Sequence, residues 1–525
     1  MANTNNLSPF ELKDQLINIA SSHKDKLMLN AGRGNPNFLA LTPRYAFLQL
    51  GHFALKESER SYSYLQSPIG GMVEKQGLVE RFDRYADINI DKEGVKFLKV
   101  ALSFITDHLG IQKVDFLHEI TEAFLGCNYP VPPKMLTICE QIVKIYLSSE
   151  LCGTSVIPDD FEIFATEGGT AAMTYIFQTL KSNGLISKGD KIGIVTPIFS
   201  PYLEIPEIPE YNLQIVDIRA DETQGWQITD EELKKIEDKK IKLLCIVNPS
   251  NPPSVKINEE VLNKISNLIR TKRRDLMIIT DDVYSTFSDN FTSLFSKCPY
   301  NTLCVYSFSK YFGATGWRLG TIGLHANNVF DDALKNLDES VKKELDIRYQ
   351  SLTTEPRKVR FIDRIVADSR TVALNHTAGI STPQQVQMTL FALSCILDEN
   401  NVYKETTKKL IRRRYRILYQ AIGVKIDNTD SNFVDYYTLI DLELLAKNLY
   451  NDDFAKWFIN KDTGIDFLMR LADETSIVLL PGKGFEVVNS SVRVSLANLT
   501  EYEYKSIGKA IRKILDEYHD EFIKS

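Results

Sequence analysis

Apolar positions along this chain fall into two rhythms. Short, nearly unbroken runs occur at Ile163-Phe164-Ala165-Thr166, Ile192-Gly193-Ile194-Val195-Thr196-Pro197-Ile198-Phe199, Lys242-Leu243-Leu244-Cys245-Ile246-Val247 and Leu276-Met277-Ile278-Ile279-Thr280. Runs of that length and richness are what strands buried on both faces require. Helix-forming stretches separate them, the first continuing to Leu180. Strands alternating with helices from about 160 to 330 predict an α/β chain with a mostly parallel sheet covered on both faces. Elsewhere the rhythm is helical. Ser8-Pro9-Phe10-Glu11 has the form of a capping box with proline at the first helical position, so a helix is expected to open the fold. Between Gly71 and Gly126 lies a helix-patterned block that includes Val95-Lys96-Phe97-Leu98-Lys99-Val100-Ala101-Leu102-Ser103-Phe104-Ile105. From about 390 a helix carrying Lys408, Lys409, Arg412, Arg413, Arg414 and Arg416 leads into a smaller α+β region. Its bases read most simply as a solvated face.

Composition narrows the class. With 525 residues, 43% hydrophobic and 10% aromatic, the chain is long enough for about two domains with a substantial core. A formal charge of −7, with both signs spread along the chain, gives no support for nucleic-acid binding. The seven cysteines form no C-x-x-C pair and read as reduced core thiols of a cytoplasmic protein. No signal peptide or membrane-spanning run is expected.

The most specific chemistry sits in Ser307-Phe308-Ser309-Lys310, with Gly316 and Arg318 after it. A lysine among hydroxyls with a trailing arginine suits pyridoxal 5'-phosphate. The amine condenses with the aldehyde while serines and the arginine fork hold the phosphate. The run ending in Asp281-Asp282-Val283-Tyr284 delivers carboxylates and a phenol to the C-terminal end of a strand, where ligands of open α/β sheets sit. Asp281 is preferred over Asp282 as partner of a pyridine nitrogen, because Tyr284, three residues on, then reaches the ring oxygen. Asn251, in Asn248-Pro249-Ser250-Asn251-Pro252-Pro253, presents an amide from a turn, and Phe199 is placed to stack on a ring. Thr166-Glu167-Gly168-Gly169-Thr170 runs from strand through glycines into a helix, a good anion cradle at Gly169 and Thr170. It is neither a dinucleotide fingerprint nor a Walker A loop, and no metal is called for.

This ordered set, completed by Arg493 in Ser491-Val492-Arg493-Val494-Ser495, resembles the fold-type-I aminotransferases related to aspartate aminotransferase over most of residues 150 to 500. The resemblance implies a large cofactor-binding domain, its mostly parallel sheet of the seven-stranded type, plus a smaller α+β domain with helical insertions. It also implies that Arg493 grips the substrate α-carboxylate. The loop Ala31-Gly32-Arg33-Gly34-Asn35-Pro36-Asn37-Phe38, the segment Asn128-Tyr129-Pro130-Val131-Pro132-Pro133, the insertion and the length are similar to the aspartate 4-decarboxylase branch.

By that likeness the expected reaction is β-decarboxylation of L-aspartate to L-alanine and CO2, with transamination involving 2-oxo acids on the side; a plain aspartate aminotransferase is the alternative. Lys310, Tyr284 and Arg33 are the expected catalytic set. Arg493, Gly34, Arg33, Asn251 and Tyr129 are the expected substrate contacts, with Tyr129 either lent to a neighbouring subunit or simply a turn tyrosine. A homodimer-based oligomer is implied, with a dodecamer as the candidate size. The insertion and a charged expansion at roughly 335 to 372 are read as subunit contacts or as added surface helices. The expected division is 1–60 (N-terminal helix and substrate loop, part of the small domain), 61–128 (helical insertion), 129–385 (large cofactor-binding domain) and 386–525 (C-terminal small domain).

Overall fold

Thirteen strands form among the described residues, which in this computed structural model are 9–23, 27–65, 69–153, 160–371, 379–426, 430–461 and 464–525. They are β1 (Leu29–Asn30), β2 (Phe161–Thr166), β3 (Lys191–Thr196), β4 (Gln214–Asp221), β5 (Gln227–Ile228), β6 (Ile241–Val247), β7 (Met277–Asp281), β8 (Thr302–Ser307), β9 (Gly320–His325), β10 (Tyr437–Asp441), β11 (Ile477–Val478), β12 (Leu480–Pro481) and β13 (Ser491–Ser495). The chain divides into two units. One comprises Met1–Phe38, Lys188–Lys297 and Lys404–Ser525; the other comprises Leu39–Ser187 and Cys298–Tyr403. No helix among the described residues is long and apolar enough to cross a membrane.

In the first unit β7, β6, β3 and β4 lie side by side and parallel, with β5 antiparallel at the edge. All five residues of β7 and all but one of β6 are buried, which is why these runs show no polar alternation. A second sheet sets β13 between β10 and β12, all antiparallel. Register places Arg493 opposite Leu439 on one side and Leu480 on the other. The predicted opening helix spans Pro9–Ser22 and packs on the helix Ile465–Thr475 and on β11; Ser8, the expected cap, lies outside the described residues. β1 pairs with β11, so the segment leading to Arg33 is anchored by backbone bonds before it becomes loop.

In the second unit β9 lies between β2 and β8, antiparallel to both. The helix Gly169–Ser182 follows β2 directly. The helix-patterned block resolves into helices Leu78–Ile88, Val95–Leu109 and Lys113–Leu125, stacked with Thr42–Ser61 around Phe53, Phe82 and Tyr85. The charged expansion contains helices Glu339–Tyr349 and Phe361–Asp368, the latter packed on Gly169–Ser182. It is therefore not merely an added surface layer, since a buried polar network ties it to the core. Asp368, fully buried, accepts two bonds from Arg348 (2.7 and 3.0 Å), one from the Tyr349 hydroxyl (2.6 Å) and one from Asn183 (3.2 Å). Burial, reinforced by Asp368, raises the Tyr349 phenol far above its ordinary pKa, so it stays a donor. Asp368→Ala would remove the carboxylate that pairs with Arg348 and accepts from the Tyr349 hydroxyl, leaving Tyr349 and Asn183 only each other and their remaining partners, and a loss of about 3 kcal/mol is expected. Thermal unfolding of the purified variant checks this: a midpoint within a degree of the parent's would refute the network's role.

Candidate active site

The expected site residues divide between the units. In the first unit, β7 ends at Asp281, buried to 7% exposure, whose carboxylate accepts from the Tyr202 hydroxyl (3.2 Å) and the Val283 N–H (3.3 Å). Burial and the neighbouring Asp281 hold the Tyr202 phenol well above its usual pKa, so it remains a donor. The adjacent Asp282 differs. It is fully buried and takes the Thr280 hydroxyl (2.8 Å) and the Ser293 hydroxyl (2.5 Å), a purely internal use of the carboxylate.

Arg493 stands on the central strand of the small sheet at 5% exposure. One guanidinium nitrogen donates to Asn251 Oδ1 (3.1 Å), another to the Gly32 carbonyl (2.7 Å). The planar group lies 4.4 Å from the Tyr437 ring centroid and 4.6 Å from that of Phe485. Its Nε is buried with no partner among the described residues. An unpartnered buried donor on an immobilised cation is costly unless an anion completes it, and a planar fork of this kind is able to take a carboxylate. Asn251 is 2% exposed, and the Tyr284 and Tyr437 hydroxyls bond to each other at 3.0 Å. Burial and the Tyr437 phenol push Tyr284 well above its ordinary pKa, with Arg493 opposing. Tyr284 is therefore a neutral donor at neutral pH. Phe199 is half-buried just beyond β3, where Ile198 donates to the Phe485 carbonyl (3.1 Å). Arg33 is exposed, and the Gly34 carbonyl accepts from Tyr436 (2.7 Å).

In the second unit, β2 turns into the Gly169–Ser182 helix through Gly168, whose φ of +88° favours glycine. A Cβ at Gly168 would sit 2.6 Å from Arg318 Nη2, so only glycine lets that guanidinium close on the turn. Arg318, itself at φ +57°, donates to the Thr315 carbonyl (2.9 Å) and the Glu167 carbonyl (3.1 Å). Ser307 ends β8 and donates to Ser309 Oγ (3.0 Å), both buried, with half-buried Lys310 next in sequence. A Cβ added at Gly169 would meet Ser307 Cβ at 3.6 Å, an ordinary contact, and Thr170 is exposed on the helix's first turn. First-turn N–H groups have no intrahelical acceptor and point at whatever anion sits there. Tyr129 is 72% exposed and borders a cleft with Lys75, Asp115 and His118, away from this cradle.

Sequence reading missed Tyr202, Tyr437, Phe485 and Glu167. Tyr202, at the start of the short helix Pro201–Glu207, had no local pattern to mark it.

The chain is a member of the aminotransferase class I and II family, whose signature matches residues 139–511. Its fold is that of the fold-type-I aminotransferases. Among curated relatives, the bifunctional aspartate aminotransferase and L-aspartate beta-decarboxylase of a Pseudomonas species is 55% identical over 518 residues, covering 98% of this chain and 97% of that protein. A double mutant of Thermus thermophilus aspartate aminotransferase superposes with a TM-score of 0.58 at 17% identity, covering 97% of this chain and 96% of that one. The aromatic aminotransferase of Pyrococcus horikoshii gives 0.57 at 18%, covering 96% and 99%. At such identities these two structures speak to fold alone.

Proposed function

We propose that this chain converts L-aspartate to L-alanine and CO2 with pyridoxal 5'-phosphate, and transaminates aspartate as a side reaction. The carrying observation is the buried Arg493 fork with its uncompleted Nε, in a chain 55% identical to a bifunctional enzyme of that name. The residues also fit the cofactor: a glycine turn, helix N–H groups, two buried serines and Arg318 suit a phosphate dianion, and Asp281 suits a protonated ring nitrogen. When bound, the cofactor supplies an electron-withdrawing ring that acidifies the substrate's Cα–H and lets the β-carboxylate depart as CO2.

The protein's residues do the rest. Lys310 is the amine that would hold the cofactor through its aldehyde and would carry the proton to and from the substrate Cα. Asp281 keeps the ring nitrogen protonated, with Tyr202 and the Val283 N–H fixing the carboxylate's angle. Tyr284 and Asn251 would donate to the ring oxygen, and Phe199 would stack on the ring. Ser307, Ser309, Arg318, Gly169 and Thr170 hold the phosphate. Arg493 would grip the substrate α-carboxylate, so that this carboxylate is held rather than lost and α-decarboxylation would be disfavoured. Gly34 and Arg33 contribute from the substrate loop, Arg33 by tuning whether the β-carboxylate is retained or lost. Tyr129 acts in the neighbouring subunit of a homodimer-based oligomer, of which a dodecamer is one form, in the cytoplasm.

An NMR time course of cofactor-loaded protein with L-aspartate and no keto acid tests the reading. Alanine is expected to accumulate over many turnovers with equimolar CO2, and Arg33→Ala is expected to shift the ratio of alanine to keto acid. If about one keto acid forms per subunit and the reaction then stalls until 2-oxoglutarate is added, the protein is a plain aminotransferase. An unchanged ratio in Arg33→Ala would remove Arg33 from the partition.

A further inference from the structure

The charged expansion after the cofactor lysine has a destination that neither assembly nor surface decoration explains. Its second helix, Phe361–Asp368, lies on the Gly169–Ser182 helix, and Gln178 of that helix donates to the Asp368 carbonyl (2.7 Å). Two residues later Arg370 turns its guanidinium onto Glu167, the residue immediately before Gly168. Arg370 pairs with the Glu167 carboxylate and also bonds the Tyr175 hydroxyl, which itself donates to Glu167 (2.9 Å). Arg370 further donates to the Gly379 carbonyl at 3.3 Å. Burial, with Glu167 adding to it, raises the Tyr175 phenol above its ordinary pKa, so Tyr175 stays a donor in the triad.

Glu167 therefore works with both ends. Its side chain is locked by Arg370 and Tyr175, while its backbone carbonyl accepts from Arg318 at 3.1 Å. The peptide that carries this carbonyl leads into Gly168, the turn against which Arg318 closes with no room for a Cβ. Rotation of Glu167 would move the Arg318 acceptor and re-aim the first N–H groups of the helix together. We infer that Arg370 is a positioning residue for the phosphate cradle, acting through the Glu167 carboxylate to fix the turn that orients Arg318 and the Gly169 helix. The inference rests on the proposed use of pyridoxal 5'-phosphate. The ion pair itself is partly solvated, with side-chain exposures of 36% and 28%, so its contribution lies in geometry more than in stability.

Direction of effect separates this role from a simple electrostatic one. Were Arg370 only a distant cation attracting the phosphate, removing the negative charge in Glu167→Gln would strengthen cofactor binding. Positioning through Glu167 predicts the reverse. The experiment titrates the cofactor-free full chain with pyridoxal 5'-phosphate and, separately, with pyridoxal, which lacks the phosphate, following visible absorbance. Arg370→Ala and Glu167→Gln are each expected to raise the dissociation constant for pyridoxal 5'-phosphate about tenfold while leaving that for pyridoxal within about twofold. Arg370→Lys is expected to recover part of the loss. Tighter or unchanged phosphate-form binding in Glu167→Gln overturns the inference, as does equal weakening of both aldehydes. Should Arg370→Ala not fold, Glu167→Gln alone decides. A parent protein that binds neither aldehyde would instead refute the proposed function beneath it, a result visible before any variant is made.

Discussion

Replacing Lys310 with alanine is expected to lower turnover of L-aspartate by at least about 10⁴-fold, because in the proposed reaction one amine both carries the cofactor and moves the Cα proton. Ser307, Ser309 and Arg318 remain in Lys310→Ala, so the cofactor's phosphate should still be held, without a covalent link. Two measurements check this together. Single-turnover kinetics report the loss. Borohydride reduction followed by peptide mapping should label the Lys310 peptide in the parent and nothing in the variant. Retention of more than about one per cent of parental turnover would show that another amine does this work.

The second large effect is expected at Arg493. Arg493→Lys keeps the charge but discards the planar fork, its bonds to Asn251 and the Gly32 carbonyl, and its stacking between Tyr437 and Phe485. A lysine there would leave Asn251 and Gly32 without their donor in a buried setting. A fall of about 10² to 10³ in kcat/KM for aspartate follows, equivalent to roughly 3–4 kcal/mol of lost binding in the transition state. Steady-state kinetics decide the matter. A fall below fivefold would mean that another group binds the α-carboxylate. Loss of the grip proposed for Arg493 should also raise the share of α-decarboxylation, read as β-alanine by NMR.

Local chemistry was legible in the sequence, and contacts between distant segments were not. The strand runs ending at Thr166, Val247 and Asp281, the glycine turn before Gly169 and the helix around Val95 follow from side-chain rhythm and turn chemistry, which act over a few residues. Asp281 could be preferred over Asp282 by spacing alone, whereas the engagement of Asp282 by Thr280 and Ser293 could not be read there. By contrast Tyr202, Tyr437 and Phe485 gain their significance only from what the fold sets beside Asp281 and Arg493. A buried aromatic looks the same in sequence whether it fills a core or sandwiches a guanidinium. The packing of the expansion at 335 to 372 was hidden for a related reason. Its charges suggested a surface, yet Asp368, Arg348 and Arg364 are drawn into a network with Asn183 that only long-range packing creates.

The bond from Arg493 to the Gly32 carbonyl joins residues 461 positions apart. At ordinary translation rates, roughly 20 to 90 s separate the emergence of its two ends from the ribosome. During that interval β1 has no β11 to pair with and the loop carrying Arg33 has nothing to close against. The buried Arg493 fork therefore comes into existence only after both ends have been made. Under the proposed function, a nascent or prematurely terminated chain that has made Lys310 and Arg318 but not Arg493 lacks the group that would set reaction specificity, so the order of synthesis would place selectivity last.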